Sequence, residues 1–293
     1  MAVTPHVSHT LRSVRWARLP PALSGHSPLV FISVVVVAAW IVLAALAPVF
    51  THADPLAQDI AHRIQPPSLT HLFGTDQLGR DMFSRVIYGA RISLPAAAIV
   101  VVVGFVVGTT LGAVAGFAGG VLDELLMRIT DMVLAFPIII LAMAVAAALG
   151  AGLIHGVIAL AAIWWPQYAR VCRGLVLELK SKEYVVASRA AGRRPSSILL
   201  RVVLPNALPA LLVMAAIDVG RAILNFAMLS FLGLGAKPPD PEWGSMVASG
   251  AQVMDQWWVA ATPALAILSL VFAFNLAGDS IRDAMDPWLR GRR

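Results

Sequence analysis

Charge and cysteine are both scarce in this sequence. A lone cysteine, Cys172, excludes an intramolecular disulfide and any cysteine-built metal site, and it reads as a packing residue. No Gly-Lys dipeptide occurs, so the loop that cradles nucleotide phosphates is missing and the chain is not itself a P-loop ATPase. HExxH, GxSxG and paired-cysteine patterns are missing too, so no catalytic residue is assigned and no enzymatic turnover is expected of this polypeptide. His52, His62 and His71 share one segment, but their spacing matches no ligand pattern and no metal site is assigned. Charged residues make up 13% of the chain, against about 25% in ordinary globular chains.

Apolar residues fill that space. At 59% hydrophobic, with repeated runs of about 20 apolar residues, the chain reads as an all-α, polytopic membrane protein. Barrel strands would be roughly ten residues long and alternating, which these runs are not. Six transmembrane helices are expected: Leu29 to Phe50, Ile92 to Phe117, Met132 to Leu149, Leu153 to Val171, Ala207 to Leu234 and Val259 to Ala277. The first is read as a span and not a signal peptide, because its apolar run is too long and Pro48 follows the cleavage-like Ala45-Leu46-Ala47. Pro137, Pro166 and Pro209 fall within or near span ends, which membrane helices tolerate. The division expected is a cytosolic segment over 1–28, the first helix with an external segment over 29–91, a transmembrane core over 92–282 and a basic tail over 283–293.

Positive charge orients these spans. Arg12, Arg15, Arg18, Arg128, the Arg170 to Arg201 cluster, Arg282, Arg290, Arg292 and Arg293 gather on one side, which places both termini in the cytosol of a multi-pass plasma-membrane protein. The net charge of +6 is thereby explained without nucleic acid, which is not an expected partner.

Three features stand out within that frame. Gly104, Gly108, Gly112 and Gly116 form a ridge on which another helix can approach closely, either within the chain or from a second subunit. Asp218 and Arg221 share a helical face in the fifth span and read either as a translocation path or as a structural ion pair. The third is a polar island, Glu183 to Asn206. Helix formers run to Ala191, Gly192 is a left-handed stop, and Pro195 opens a second helix. Pro205 and Pro209 punctuate its entry into the fifth span. Arg189, Arg193, Arg194 and Arg201 make the island basic, while Tyr184, Val185 and Ala187 offer a small apolar contact. A plain positive-inside anchor would need neither the glycine turn nor the Leu204-Pro205-Asn206 exit.

The island resembles the cytoplasmic signature loop of ATP-binding-cassette importer permeases, EAA, three residues, Gly, nine residues, then Ile-x-Leu-Pro. Ala187, Gly192, Leu204 and Pro205 match, Val202 stands for the isoleucine, and Val186 and Ser188 depart from the acidic residue and second alanine. Further segments resemble the C-type permease of dipeptide and oligopeptide importers. They are His71 to Arg85 (HLFGTDQLGRDMFSR), Gly119-Gly120 with Asp123, Met127-Arg128, Asp131 and Pro137, then Ser230 to Gly235, Pro238 to Gly244, and Phe274 to Pro287. Phe226 stands where that family often has Glu, so no acidic role is carried over. The resemblance implies a type I importer permease fold and one half of a path for dipeptides or oligopeptides. It implies a homologous B-type permease, two cytosolic ATPase domains that hold Mg-ATP, and an extracytoplasmic binding protein as partners, with no cofactor in this chain. Its coupling loop would span about 177–205, with Glu183, Tyr184, Ala187, Arg189, Gly192, Arg193, Leu204 and Pro205 meeting an ATPase domain. Nickel or another small ligand is an alternative cargo, and an autonomous secondary transporter is the rival class.

Two external features complete the reading. Asp76, Arg80, Asp81 and Arg85 recur at helical spacing and are expected to form exposed ion pairs of a structural element. Pro238 to Trp243 is expected to make a rigid turn, with Trp243 at the interface and in reach of a delivery protein.

Overall fold

The computed structural model describes residues 28–51 and 53–285, and every regular element among them is helical. The expectations for Arg12, Arg15, Arg18, His52, Arg290, Arg292 and Arg293 lie outside the described residues. The elements are α1 (Pro28–Ala45), α2 (Ala47–Phe50), α3 (Met82–Ala118), α4 (Gly120–Leu134), α5 (Ile138–Leu149) and α6 (Leu153–Leu179). They continue as α7 (Glu183–Ala190), α8 (Pro195–Ile198), α9 (Leu204–Phe231), α10 (Trp243–Gly250) and α11 (Trp257–Met285). Helices are what an apolar chain in lipid must form, because each satisfies its own backbone hydrogen bonds.

The boundaries depart from the apolar runs in informative ways. α3 begins ten residues before Ile92, where Asp81 accepts a hydrogen bond from the Ser84 N–H at 2.8 Å and caps the helix. At about 1.5 Å per residue it is far longer than a bilayer core, so it extends beyond one. The span expected over Met132 to Leu149 is instead two helices, α4 and α5, meeting at 90°. Pro137 has no N–H to continue the ladder and biases Phe136 away from helical geometry. Asp123, Glu124, Arg128 and Asp131 had hidden α4 from a hydropathy reading.

Pro205 and Pro209 do not break the fifth span. The chain runs as one helix from Pro195 to Phe231, with a π-helical turn over Leu199–Val203 just before Pro205. The wider i→i+5 register offers another donor to a carbonyl that the missing Pro205 N–H would orphan. Among the described residues three helices are long and apolar enough to cross a membrane on their own, Met82–Ala118, Pro195–Phe231 and Trp257–Gly278, and a fourth if the bent α4–α5 pair counts as one. The described part of α1 is short, and α6 carries Arg170, Arg173 and Glu178 in its final turns, so neither stands alone as a span.

The most extensive packing joins α3 to α6. A Cβ on Gly104 would lie 2.8 Å from the Trp164 ring, one on Gly108 2.5 Å from the Tyr168 Cβ, and one on Gly116 2.9 Å from the Arg173 carbonyl. Gly112 lies equally tightly on the Ala169 backbone. The glycine ridge therefore seats α6 of the same chain. Behind it Val100, Leu160, Tyr168, Phe226, Leu229 and Leu270 make one buried core shared by α3, α6, α9 and α11.

Gly108→Val should lower stability by about 1–3 kcal/mol through overpacking. Gly174→Ala, in α6 with open space at its Cβ position, should be neutral or stabilising. Thermal unfolding of the two purified variants checks this; equal midpoints would show that the ridge is not under steric control.

Candidate functional site

Between α6 and α9 the chain folds into a small protruding unit. Lys180, just past α6, donates to the Gly116 carbonyl at 2.9 Å and ties the base of the unit to the end of α3. α7 follows, anchored by the fully buried Val185, and the Arg189 guanidinium sits 5.8 Å above the Phe117 ring. Gly192 then takes φ +74°, with nothing within 4 Å of where its Cβ would be, so glycine is required by conformation and not by crowding. Pro195 occupies the first turn of α8, and Ile198 and Val203 bury beneath it. Glu183, Tyr184, Val186, Ala187, Arg193, Leu200 and Pro205 point outward, and Leu204 is half-buried. The result is a helix-turn-helix knuckle with a mixed apolar and basic face.

Beside it, α4 is latched to α6 by charge. Arg173 grips Asp123 with two bonds of 2.6 and 2.8 Å, and Arg170 pairs with Asp131. These partners are 50 and 39 residues apart in sequence, and nothing local announces them.

Deeper in the bundle, Asp218 is 1% exposed and accepts from Arg221 Nη1 at 2.8 Å. The same Nη1 donates to Gln167 Oε1 of α6 at 3.3 Å. The pair is real, and its two members differ: the carboxylate is internal, while the Arg221 side chain is 46% exposed.

At the opposite end from the knuckle, the segment expected to carry exposed ion pairs is a buried knot. Residues 76–81 form a turn and not a helix. Asp76 accepts the N–H groups of Leu78 and Arg80 on one oxygen and Arg80 Nε at 2.7 Å on the other. Arg85 Nη1 reaches the carbonyls of Pro55 at 3.0 Å and Pro239 at 3.4 Å. Asp81 also meets His71 Nδ1 at 3.0 Å, and His62 pairs with Asp59, which lowers the Asp59 carboxyl below its usual range. Trp258 donates to the Thr75 carbonyl and Gln77 to that of Ser249, so the knot fastens the first half of the chain to α10 and α11.

Comparison with known proteins decides the kinship. The family described as "Binding-protein-dependent transport system inner membrane component" matches residues 108–291. The chain belongs to that family. It is 42% identical to the probable D,D-dipeptide transport system permease protein of Escherichia coli (strain K12), over 94% of this chain and 93% of that one. It is 44% identical to the di/tripeptide transport system permease protein of Pseudomonas aeruginosa (strain UCBPP-PA14), over 84% of each. Among solved structures, a chain of the MetNI methionine ABC transporter in an inward-facing conformation superposes with a TM-score of 0.59 at 24% identity. That match covers 70% of this chain and 98% of the other, and it shows the fold.

Within this permease family member, Trp243 corrects the sequence reading. Its ring is 0% exposed, lies flush on Gly89, meets Trp40 edge-on at 5.1 Å and donates to the Val86 carbonyl at 2.9 Å. A side chain so enclosed does not touch a delivery protein. Its neighbour Glu242 stands directly before α10, where an acid is a capping signal. It is buried and accepts the N–H groups of Gly244 and Ser245, both at 2.9 Å, with the Ser93 hydroxyl at 3.4 Å. Burial raises its carboxyl above the usual range, against the pull of those donors.

Trp243→Ala should cost about 3–5 kcal/mol of stability, whereas Trp257→Ala, at an exposed position, should cost little. Thermal unfolding separates the two, and equal losses would refute an internal role for Trp243. A carboxyl with a raised folded-state value contributes stability that is full below the unfolded value and is lost as pH rises through the folded one. Glu242→Gln should therefore flatten the decline of the unfolding midpoint above pH 4.5; an unchanged slope contradicts the assignment.

Proposed function

We propose that this chain is one of two permease subunits of an ATP-driven importer of dipeptides or oligopeptides, forming half of the path across the plasma membrane. Six membrane crossings, with α1, α6 and the bent α4–α5 pair counted as spans, put both termini and the α7–Gly192–α8 knuckle in the cytosol. Residues 54–91 and α10 then lie outside. A homologous permease supplies the other half of the path, a binding protein delivers peptide from outside, and two cytosolic ATPase domains bind Mg-ATP. Peptide cargo rests on relatives whose names carry dipeptide or di/tripeptide transport and which align along most of both chains.

The observation that carries the mechanism is continuity. The knuckle does not hang from a flexible linker: α8, the π-helical turn and α9 are one uninterrupted helix from Pro195 to Phe231. An ATPase domain that seats Tyr184, Ala187 and Arg193 and then moves on closure would displace α9 along with them. Lys180 on the Gly116 carbonyl and Arg173 on Asp123 spread that displacement to α3 and α4. ATP energy then reaches the membrane as a rigid-body change and needs no chemistry in this chain.

Gly192→Pro forces φ near −65° where the turn requires +74°. In the reconstituted complex its spans should insert normally while ATP-dependent peptide uptake falls to background. Wild-type uptake by this variant would sink the coupling role of the turn.

A further inference from the structure

Arg221 lies in the apolar helix that runs to Phe231, roughly 15 Å before its end and so within a bilayer core about 30 Å thick. A guanidinium at that depth does not face hydrocarbon; it faces water or protein. Its side chain is nonetheless half-exposed on this chain's surface, so the face it occupies lines a wet path or meets another subunit. Gln167 and Asn225 flank it, and a polar trio on one face of two apolar helices fits a wet path better than a dry interface.

The arrangement around it has the form of a held donor. Nη1 makes both protein bonds, to Asp218 and to Gln167, while Nε and Nη2 have no protein partner among the described residues. Asp218 is almost fully buried. The buried Tyr168 hydroxyl lies close enough to interact with it. Asp218 and Tyr168 therefore stand together as buried neighbours behind the arginine. They are intelligible as the inner wall of a site whose outer face is Arg221.

We propose that Arg221, aimed by Asp218 and Gln167, is a way-station for the terminal carboxylate of the passing peptide. This rests on the peptide-importer reading above. Nε and Nη2 present the parallel pair of N–H groups that a carboxylate accepts. Asp218 offsets part of the positive charge, so the carboxylate is held weakly, as a transport path needs if cargo is to leave again. The ligand class is an anion-terminated peptide; an amidated peptide lacks the group that is read.

The test is uptake into proteoliposomes holding the complete importer, with one binding protein throughout so that its own preference cancels between variants. The cargoes are a dipeptide and its C-terminal amide, each at saturating binding protein, and the chains are wild type, Arg221→Gln and Arg221→Lys. The expected result is that Arg221→Gln lowers uptake of the free acid about tenfold relative to the amide, the effect of losing one charge-assisted hydrogen bond. Arg221→Lys should restore much of that ratio. An equal fall for acid and amide would make the residue structural and overturn the site. Wild-type uptake of both cargoes by Arg221→Gln overturns it as well. No peptide uptake by the wild-type complex would instead overturn the peptide-importer reading, and the site with it.

Discussion

Four missing side chains set the geometry of this molecule. Along α3, Gly104, Gly108, Gly112 and Gly116 leave no Cβ between that helix and the backbone of α6. In lipid there is little hydrophobic gain from pressing two apolar helices together, so close approach and the dispersion contacts it permits must supply the association. Everything with functional character hangs on where α6 then runs. Its last turns carry Arg170 and Arg173 to α4 and deliver Lys180 to the Gly116 carbonyl. Its middle sets Gln167 beside Arg221 and Tyr168 beside Asp218. A wider separation would loosen both the α4–α6 latches and the polar cluster around Arg221 at once.

The second constraint is the treatment of proline in the helix that continues from the knuckle. Pro205 and Pro209 lie just after the protruding knuckle, where a break would isolate it from the membrane. The π-helical turn over Leu199–Val203 absorbs the missing N–H, and the Asn206 side chain donates to the Val202 carbonyl at 2.5 Å. Pro137 shows the opposite use of the same chemistry: there the chain bends by 90° and lays α4 against α6. Proline alone does not dictate a bend here, since Pro95, Pro166 and Pro263 also sit inside continuous helices.

What the sequence made legible was local or periodic. The Gly192 turn and the Pro195 start need only their own residues, and the glycine ridge is visible from spacing alone. The family resemblance was also legible, because it rests on runs of residues. Burial of the Asp76 knot was not, since its partners are the carbonyls of Pro55 and Pro239, scattered across the chain and silent in a pattern of charges. Trp243 misled for a related reason. A tryptophan at the end of an apolar run usually sits at the interface, and only the bare backbone at Gly89, far away in sequence, creates the slot that encloses it. α4 was missed because its charges, taken one residue at a time, look like a loop and not like one face of an amphipathic helix.

Exposure carries different information in such a chain than in a soluble one. Leu122, Leu125, Ile129, Met132 and Phe136 recur along the outer face of α4 and its exit, all uncovered. Lipid tails and the apolar flank of another subunit make the same demand on such a stripe, so its chemistry does not distinguish them. An exposed polar group at membrane depth does distinguish, because hydrocarbon would not tolerate it. The Arg221 face is therefore a part of the apolar surface whose surroundings the residues themselves restrict. Its anchoring acid is turned inward, and only the guanidinium is offered outward. A chain built merely to bury that pair would have hidden both halves.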